Sequence, residues 1–140
     1  EAQDIDLDKG AMHIRPNSIR GLKTKTSVRT VPLSERCQNL ANSMLEGLSS
    51  TSPIFERYGR PRGSDAASAM LMKRLRTQVS DPKVTIHSLR HRMKDKLRNT
   101  GCPEDVSLAI LGHSSNTVAA NYGSGYALEV MREHLEKVWQ

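Results

Sequence analysis

Residues 85–122 read TIHSLRHRMKDKLRNTGCPEDVSLAILGHSSNTVAANY, and they set most of what can be expected of this chain. Ile86, Leu89, Met93 and Leu97 recur every three or four residues. That spacing predicts an amphipathic helix, capped by Thr85 and running to about Asn99. Gly101 is a suitable stop, because a helix often ends in a left-handed residue that glycine adopts without a Cβ penalty. Pro103 suits the first position of a following helix, and Glu104 and Asp105 favour the positive end of its dipole. Gly112 closes that helix. Ser115 or Asn116 can cap a short one that carries Tyr122, with Gly123 and Gly125 beyond it.

The same stretch carries polar residues whose order has chemical meaning. His87 and Arg90 are three apart, so they project from neighbouring points of one helix face, beside the apolar stripe. An arginine there offers a planar fork that matches two phosphate oxygens. A histidine can donate to phosphate or move a proton near neutral pH. Each element has a plain alternative. H-x-x-R is commonly a solvated helix face, and a histidine after Leu111-Gly112 is commonly a cap on exposed carbonyls. Tyr122 by itself reads as a half-buried tyrosine with a bonded hydroxyl. The ordered combination weighs more, because Tyr122 lies nine residues after His113. A basic pair, a histidine and a tyrosine are what covalent attack on a phosphodiester needs. A phenol with a pKa near 10 is a poor nucleophile without such help. Tyr126, beyond two glycines, and Tyr58, in an Arg-rich loop, are rival nucleophiles.

Upstream, residues 11–15 (AMHIR) and 28–33 (VRTVPL) alternate as strands do, and the polar residues 22–27 (LKTKTS) can form a hairpin tip between them. Gly10 and Gly21 mark turns. Ser34 caps a helix expected over 35–48, with Leu40, Met44, Leu45 and Leu48 as its apolar positions. Residues 49–64 form a Gly/Pro loop with Arg57, Arg60 and Arg62, which is either a polyanion contact or a solvated loop. A second helix is expected over 65–79, broken at Pro82. Lys94 is one turn from Arg90 and within reach of a phosphate, whereas Lys96 and Arg98 read as solvated. Residues 127–139 form a last amphipathic helix.

Composition narrows the class. A chain of 140 residues is one domain, long enough for a core without staples. The 21 Lys and Arg against 15 Asp and Glu give a net charge of +6 and a pI near 9.6, which suits a polyanion partner. Cys37 and Cys102 are too few for a disulfide framework, so a reduced, cytoplasmic protein is expected. No apolar run approaches the roughly 20 residues of a membrane span, and no signal peptide is visible. There is no phosphate-cradling G-x-x-x-x-G-K-[ST] loop. Neither the carboxylates nor the five histidines have metal-site spacing. No cofactor and no metal are therefore expected.

HSLRH (87–91), AILGHSS (109–115) and NY (121–122) together resemble the second arginine box of the tyrosine recombinases, the phage-integrase family. LKTKTSVRTVPL (22–33) resembles the strand-turn-strand element that carries that family's catalytic lysine, and DIDL (4–7) the segment just after its first arginine box. The likeness covers nearly the whole chain. It implies a mainly α (α+β) catalytic domain with a small antiparallel sheet near the N-terminus: a β-hairpin region over 1–33, and a helical region over 34–140. It also implies DNA cleavage and rejoining through a 3′-phosphotyrosyl link on Tyr122. Arg90 would hold the scissile phosphate, His87 and His113 would donate to it, and His87 is a candidate base. Lys23 or Lys25 would protonate the leaving 5′ oxygen. Both sit in Lys-Thr pairs, and Lys23 keeps the family's spacing to Ser27 and Arg29 slightly better.

The implied partner is double-stranded DNA, with a homo-oligomer, a tetramer on DNA, as the working form. Trp139 would suit an anchor on a neighbouring protomer. The implied setting is the bacterial nucleoid or a phage or mobile element. The family's first arginine should precede DIDL and is absent from these residues, so the chain alone is expected to cut poorly or not at all. Two other functions fit the same residues: a DNA-binding module that keeps the fold but not the activity, and a type IB topoisomerase-like enzyme.

Overall fold

The alternation over 11–15 and 28–33 resolves into two paired strands, with a third beside them. A computed structural model describes residues 1–19, 21, 22, 24, 27–113 and 125–139. Strand β1 is Ile5–Asp6, β2 is Ala11–Ile14 and β3 is Arg29–Pro32, in an antiparallel sheet of order β1-β2-β3. Met12 pairs with Ile5 on one side and with Val31 on the other. Strand β1 was not expected, because two residues are too few to show a period. It forms because the intervening turn closes tightly, with Asp6 Oδ1 accepting from the Lys9 amide at 2.9 Å and Gly10 at φ +55°. Arg15 Nε donates to the buried Asp4 at 2.7 Å, which fastens the N-terminal residues to the end of β2.

Five α-helices follow among the described residues, and the chain is mainly α with a small antiparallel sheet near its N-terminus. Helix α1 is Glu35–Leu45, capped by Ser34 accepting from the Cys37 amide. It stops before the expected Leu48, since Gly47 takes a left-handed turn at φ +76°. Helix α2 is Gly63–Arg76, two residues earlier at its start than expected and three at its end. Helix α3 is Ile86–Asn99, opened by the Thr85 amide donating to Ser88 Oγ at 3.0 Å. Helix α4 is Glu104–Leu111 and ends on Gly112 at φ +66°. Helix α5 is Leu128–Trp139. The short helix expected around Tyr122 lies outside the described residues.

The core lies between β3, α3, α4 and α5, and its buried members include Val31, Leu97, Val106, Ile110, Leu111 and Met131. Leu97 is fully buried. Leu89 departs from the expected apolar stripe, at 56% exposed. At about 100° per residue, Ile86, Met93 and Leu97 stand within about 40° of one another. Leu89 falls on one flank of that line, and His87, Arg90 and Lys94 fall on the other. The apolar positions of α1 and α2 join this core little, and Leu40, Met70 and Leu71 stay exposed. Helix α5 is tied to the sheet by Arg132, which donates to the carbonyls of Leu33, Lys9 and Gly10. Lys96 Nζ donates to the Val138 carbonyl at 2.9 Å and lies 5.3 Å from the Trp139 ring centre. No helix among the described residues is long and apolar enough to cross a membrane.

Candidate active site

The C-terminal end of α4 is where the sequence's separate basic residues meet. A helix leaves its last carbonyls without intrahelical partners and carries a partial negative charge there. Arg90, reaching over from α3, donates through Nη2 to the Leu111 carbonyl. Arg29, reaching from β3, donates through Nε to the Ile110 carbonyl at 3.1 Å and through Nη1 to the Ser27 carbonyl at 3.0 Å. Gly112 then turns the chain, and the His113 amide closes the helix on the Leu108 carbonyl at 3.0 Å. The turn delivers the His113 ring to Arg90, whose Nε donates to His113 Nε2 at 3.1 Å.

This hydrogen bond favours one protonation state of His113. A ring nitrogen that accepts from a guanidinium must carry a lone pair, so His113 is neutral with its proton on Nδ1. The electrostatics agree. His113 is held below the ordinary histidine range, first by partial burial and then by the charges of Arg90, Lys94, Arg29 and His87. The ring remains exposed, so water still screens these charges. Arg29 is also pulled below the ordinary arginine value by its burial and by the charge of Arg90, though any guanidinium stays cationic at neutral pH. His87, one turn before Arg90 on α3, is exposed, with its ring edge-on to His91 at 4.8 Å between centroids.

Among the described residues, no carboxylate neutralises the positive charge here. Among the described residues no ion pair includes Arg29, Arg90 or Lys94. Residues 114–124, SSNTVAANYGS, contain no carboxylate that could do so. The helix end supplies only about half a negative charge. The fork of a guanidinium beside a histidine can receive an anion, and a phosphodiester matches it.

A model of the phage integrase family matches residues 1–127 of the chain. The chain belongs to that family. No curated protein and no solved structure gives a significant match to it.

Three catalytic candidates of this phage-integrase chain, Tyr122, Lys23 and Lys25, lie outside the described residues. The rival Tyr126 is described, and its hydroxyl donates to Asp105 in the first turn of α4. That is the far end of a helix about 12 Å long, away from Arg90 and His113. Tyr58, the other rival, is half-buried with Arg57 5.8 Å over its ring. The DNA-contact candidates Arg57, Arg60 and Arg62 are all exposed. Arg62 donates to Asp65 at 3.1 Å and takes a left-handed φ of 58°, so it is tied down as the entry to α2. Lys94 lines a cavity of about 260 Å³ with Arg98, Cys102, Glu104 and Ser107. Among the described residues, no group of three or more His, Cys, Asp or Glu could hold a metal ion.

Arg29 is the site-forming residue that sequence reasoning used only as a spacing landmark. A signal for it existed. Residues two apart on a strand share a face, and Val31 is buried, so Arg29 must also point inward. A cation on the inward face of a strand needs a polar partner in the core, and the exposed carbonyls of a helix end are such a partner.

Proposed function

We propose that this chain is catalytic machinery of a site-specific DNA recombinase or integrase, which cleaves and rejoins double-stranded DNA through a 3′-phosphotyrosyl intermediate. The observation that carries this reading is the Arg90–His113 pair, set in a cationic cluster that no carboxylate among the described residues pairs with. Arg90 grips two oxygens of the scissile phosphate and offsets the charge that grows on them in the transition state. An arriving phosphate takes Arg90 from His113 and raises the affinity of the ring for a proton. His113 then donates to the phosphate, and His87 donates beside it or takes the proton of the phenol. The Tyr122 oxygen forms a bond to phosphorus as the bond to the 5′ oxygen breaks, and Lys23 or Lys25 supplies a proton to that oxygen. The phosphotyrosyl ester keeps the energy of the broken bond, so reversal by a new 5′ hydroxyl needs no nucleotide cofactor.

Arg57, Arg60, Arg62 and Lys94 are proposed to track the DNA backbone, and a tetramer on DNA is the proposed working assembly. The setting is a bacterial nucleoid or a phage or mobile element.

Mass spectrometry of Tyr122 after incubation with plasmid DNA tests the chemistry. The expected result is a nucleotide adduct on the peptide bearing Tyr122, lost in Tyr122→Phe. An adduct on Tyr126 or Tyr58 contradicts the assignment. A chain that binds DNA tightly and never forms an adduct is a binding module instead.

A further inference from the structure

We infer that Arg29 is a positioning residue for His113. Its guanidinium and that of Arg90 hold the last two carbonyls of α4, so that the turn at Gly112 presents the His113 ring to Arg90. The inference rests on the reading of Arg90 and His113 as a phosphate-binding pair, and goes beyond it by assigning a third residue, on a different element, to the same geometry.

Three observations converge on it. The first is the bonding pattern. Arg29 and Arg90 come from β3 and α3, and they take consecutive carbonyls, Ile110 and Leu111. Two guanidiniums repel each other, and the burial of Arg29 makes the arrangement costlier. The α4 end offsets part of that cost with its dipole and its unpaired carbonyls. Such an arrangement is poor as simple core packing. An apolar residue beside Val31 would fill the same space with no charge to desolvate.

The second is the glycine. Gly112 has φ +66°, and a Cβ built there would fall on the Arg29 guanidinium. Gly112 is thus favoured by its left-handed backbone, and any side chain there would have to displace the Arg29 guanidinium from its two carbonyls. The residue after this tight packing is His113, so any shift of the guanidinium is passed to the histidine through a single turn.

The third is connectivity. The other Arg29 donor reaches the Ser27 carbonyl, where the segment that begins at Leu22 re-enters β3. One side chain thereby joins the base of the lysine-bearing segment to the end of α4.

The test is made on the whole chain without DNA, so that it stands or falls apart from the proposed reaction. The His113 ring is titrated by NMR, and amide exchange is followed at Gly112 and His113, whose N–H groups donate to Ala109 and Leu108. The charged or titratable groups facing His113 are Arg29 from β3 and His87, Arg90 and Lys94 from α3. Arg29→Ala should move the His113 midpoint upward, toward the ordinary histidine range, and speed exchange at both amides. Arg29→Lys keeps the charge but lacks the fork, so it should raise the midpoint less than alanine does and still speed exchange at both amides. A role confined to fold stability would lower the melting temperature of both variants and leave the midpoint in place.

Unchanged titration and exchange in Arg29→Ala overturns the inference, as does a lysine variant that behaves as arginine in both readouts. If neither variant folds, the native chain decides. A slowly exchanging Arg29 Nε–H signal, coupled to the Ile110 carbonyl, supports the clamp, and a freely exchanging one overturns it. Should Arg29 pass these tests while His113 ignores duplex DNA, the proposed function fails and the clamp stands.

Discussion

The two ends of helix α4 are held by opposite means. At its N-terminus, Glu104 and Asp105 meet the positive end of the dipole, and Asp105 is further satisfied by the Val106 amide and the Tyr126 hydroxyl. At its C-terminus, Arg29 and Arg90 meet the negative end through two carbonyls, with Lys94 and His87 near enough to act on His113. Both ends obey the same dipole rule. They differ in what is left over. The acidic end finds donors within the protein, whereas the basic end gathers more positive charge than one helix terminus offsets. Surplus charge of one sign, held by packed residues, is what the proposed phosphate site requires.

Removing the surplus should have the largest effect. Arg90→Ala is expected to weaken binding of a short DNA duplex by about 10- to 100-fold, the usual worth of a charged hydrogen bond. The salt dependence of binding should become shallower by about one phosphate contact. Fluorescence anisotropy over a salt series measures both. An unchanged slope would make the basic end an internal cap like the acidic one.

A smaller loss is expected from Gly112→Ala. A side chain at that φ, pressed on a tethered guanidinium, should cost about 1–3 kcal/mol in urea unfolding. A variant as stable as the parent would mean that Arg29 moves aside freely, and the two ends would no longer differ in rigidity.

The smallest effect belongs to the acidic end. The Tyr126 hydroxyl is the main cause holding the Asp105 carboxyl below its ordinary range, and Asp105 in turn raises the Tyr126 phenol. The bond needs an ionised carboxylate and a protonated phenol. Its stabilisation is therefore present above the ordinary carboxylate pKa and lost as pH falls through the depressed value of Asp105. It is equally present below the ordinary phenol pKa and lost as pH rises through the elevated value of Tyr126. Thermal melts of Tyr126→Phe and the parent should differ slightly and evenly across neutral pH, then converge below about 4 and above about 10. DNA affinity should not change, and a large loss would move Tyr126 into the site.

Much of this contrast was legible in the sequence. The Thr85 start, the Gly101 and Gly112 stops and the acids after Pro103 bound α3 and α4 closely, because caps and dipoles act locally. The meeting of Arg90 with His113 was expected only from the ordered motifs and the family resemblance they carry, and the structure brings the two side chains together. Arg29 was harder to read. Its role depends on which residues lie across from β3, a contact between residues far apart in sequence. Leu89 misled for a related reason. A three-and-four spacing locates an apolar face only to within a flank, and contacts with α4 and α5 decide which flank is covered. Strand β1 was too short to carry any pattern. The placements of Tyr122, Lys23 and Lys25 lie outside the described residues.

The most direct test of the central claim is a histidine-resolved NMR titration of the chain with a short DNA duplex. The five histidines are spread over the molecule. His87 and His113 lie in the cluster, His91 adjoins it, His13 bonds Thr30 in the sheet, and His134 is on α5. The account predicts that DNA moves the His113 and His87 signals first and raises the His113 midpoint, as a phosphate takes Arg90 and repays the ring with negative charge. His13 and His134 should stay still. Saturable DNA binding that leaves His113 unmoved, with its midpoint unchanged, would contradict the claim that the basic end of α4 is where the scissile phosphate sits.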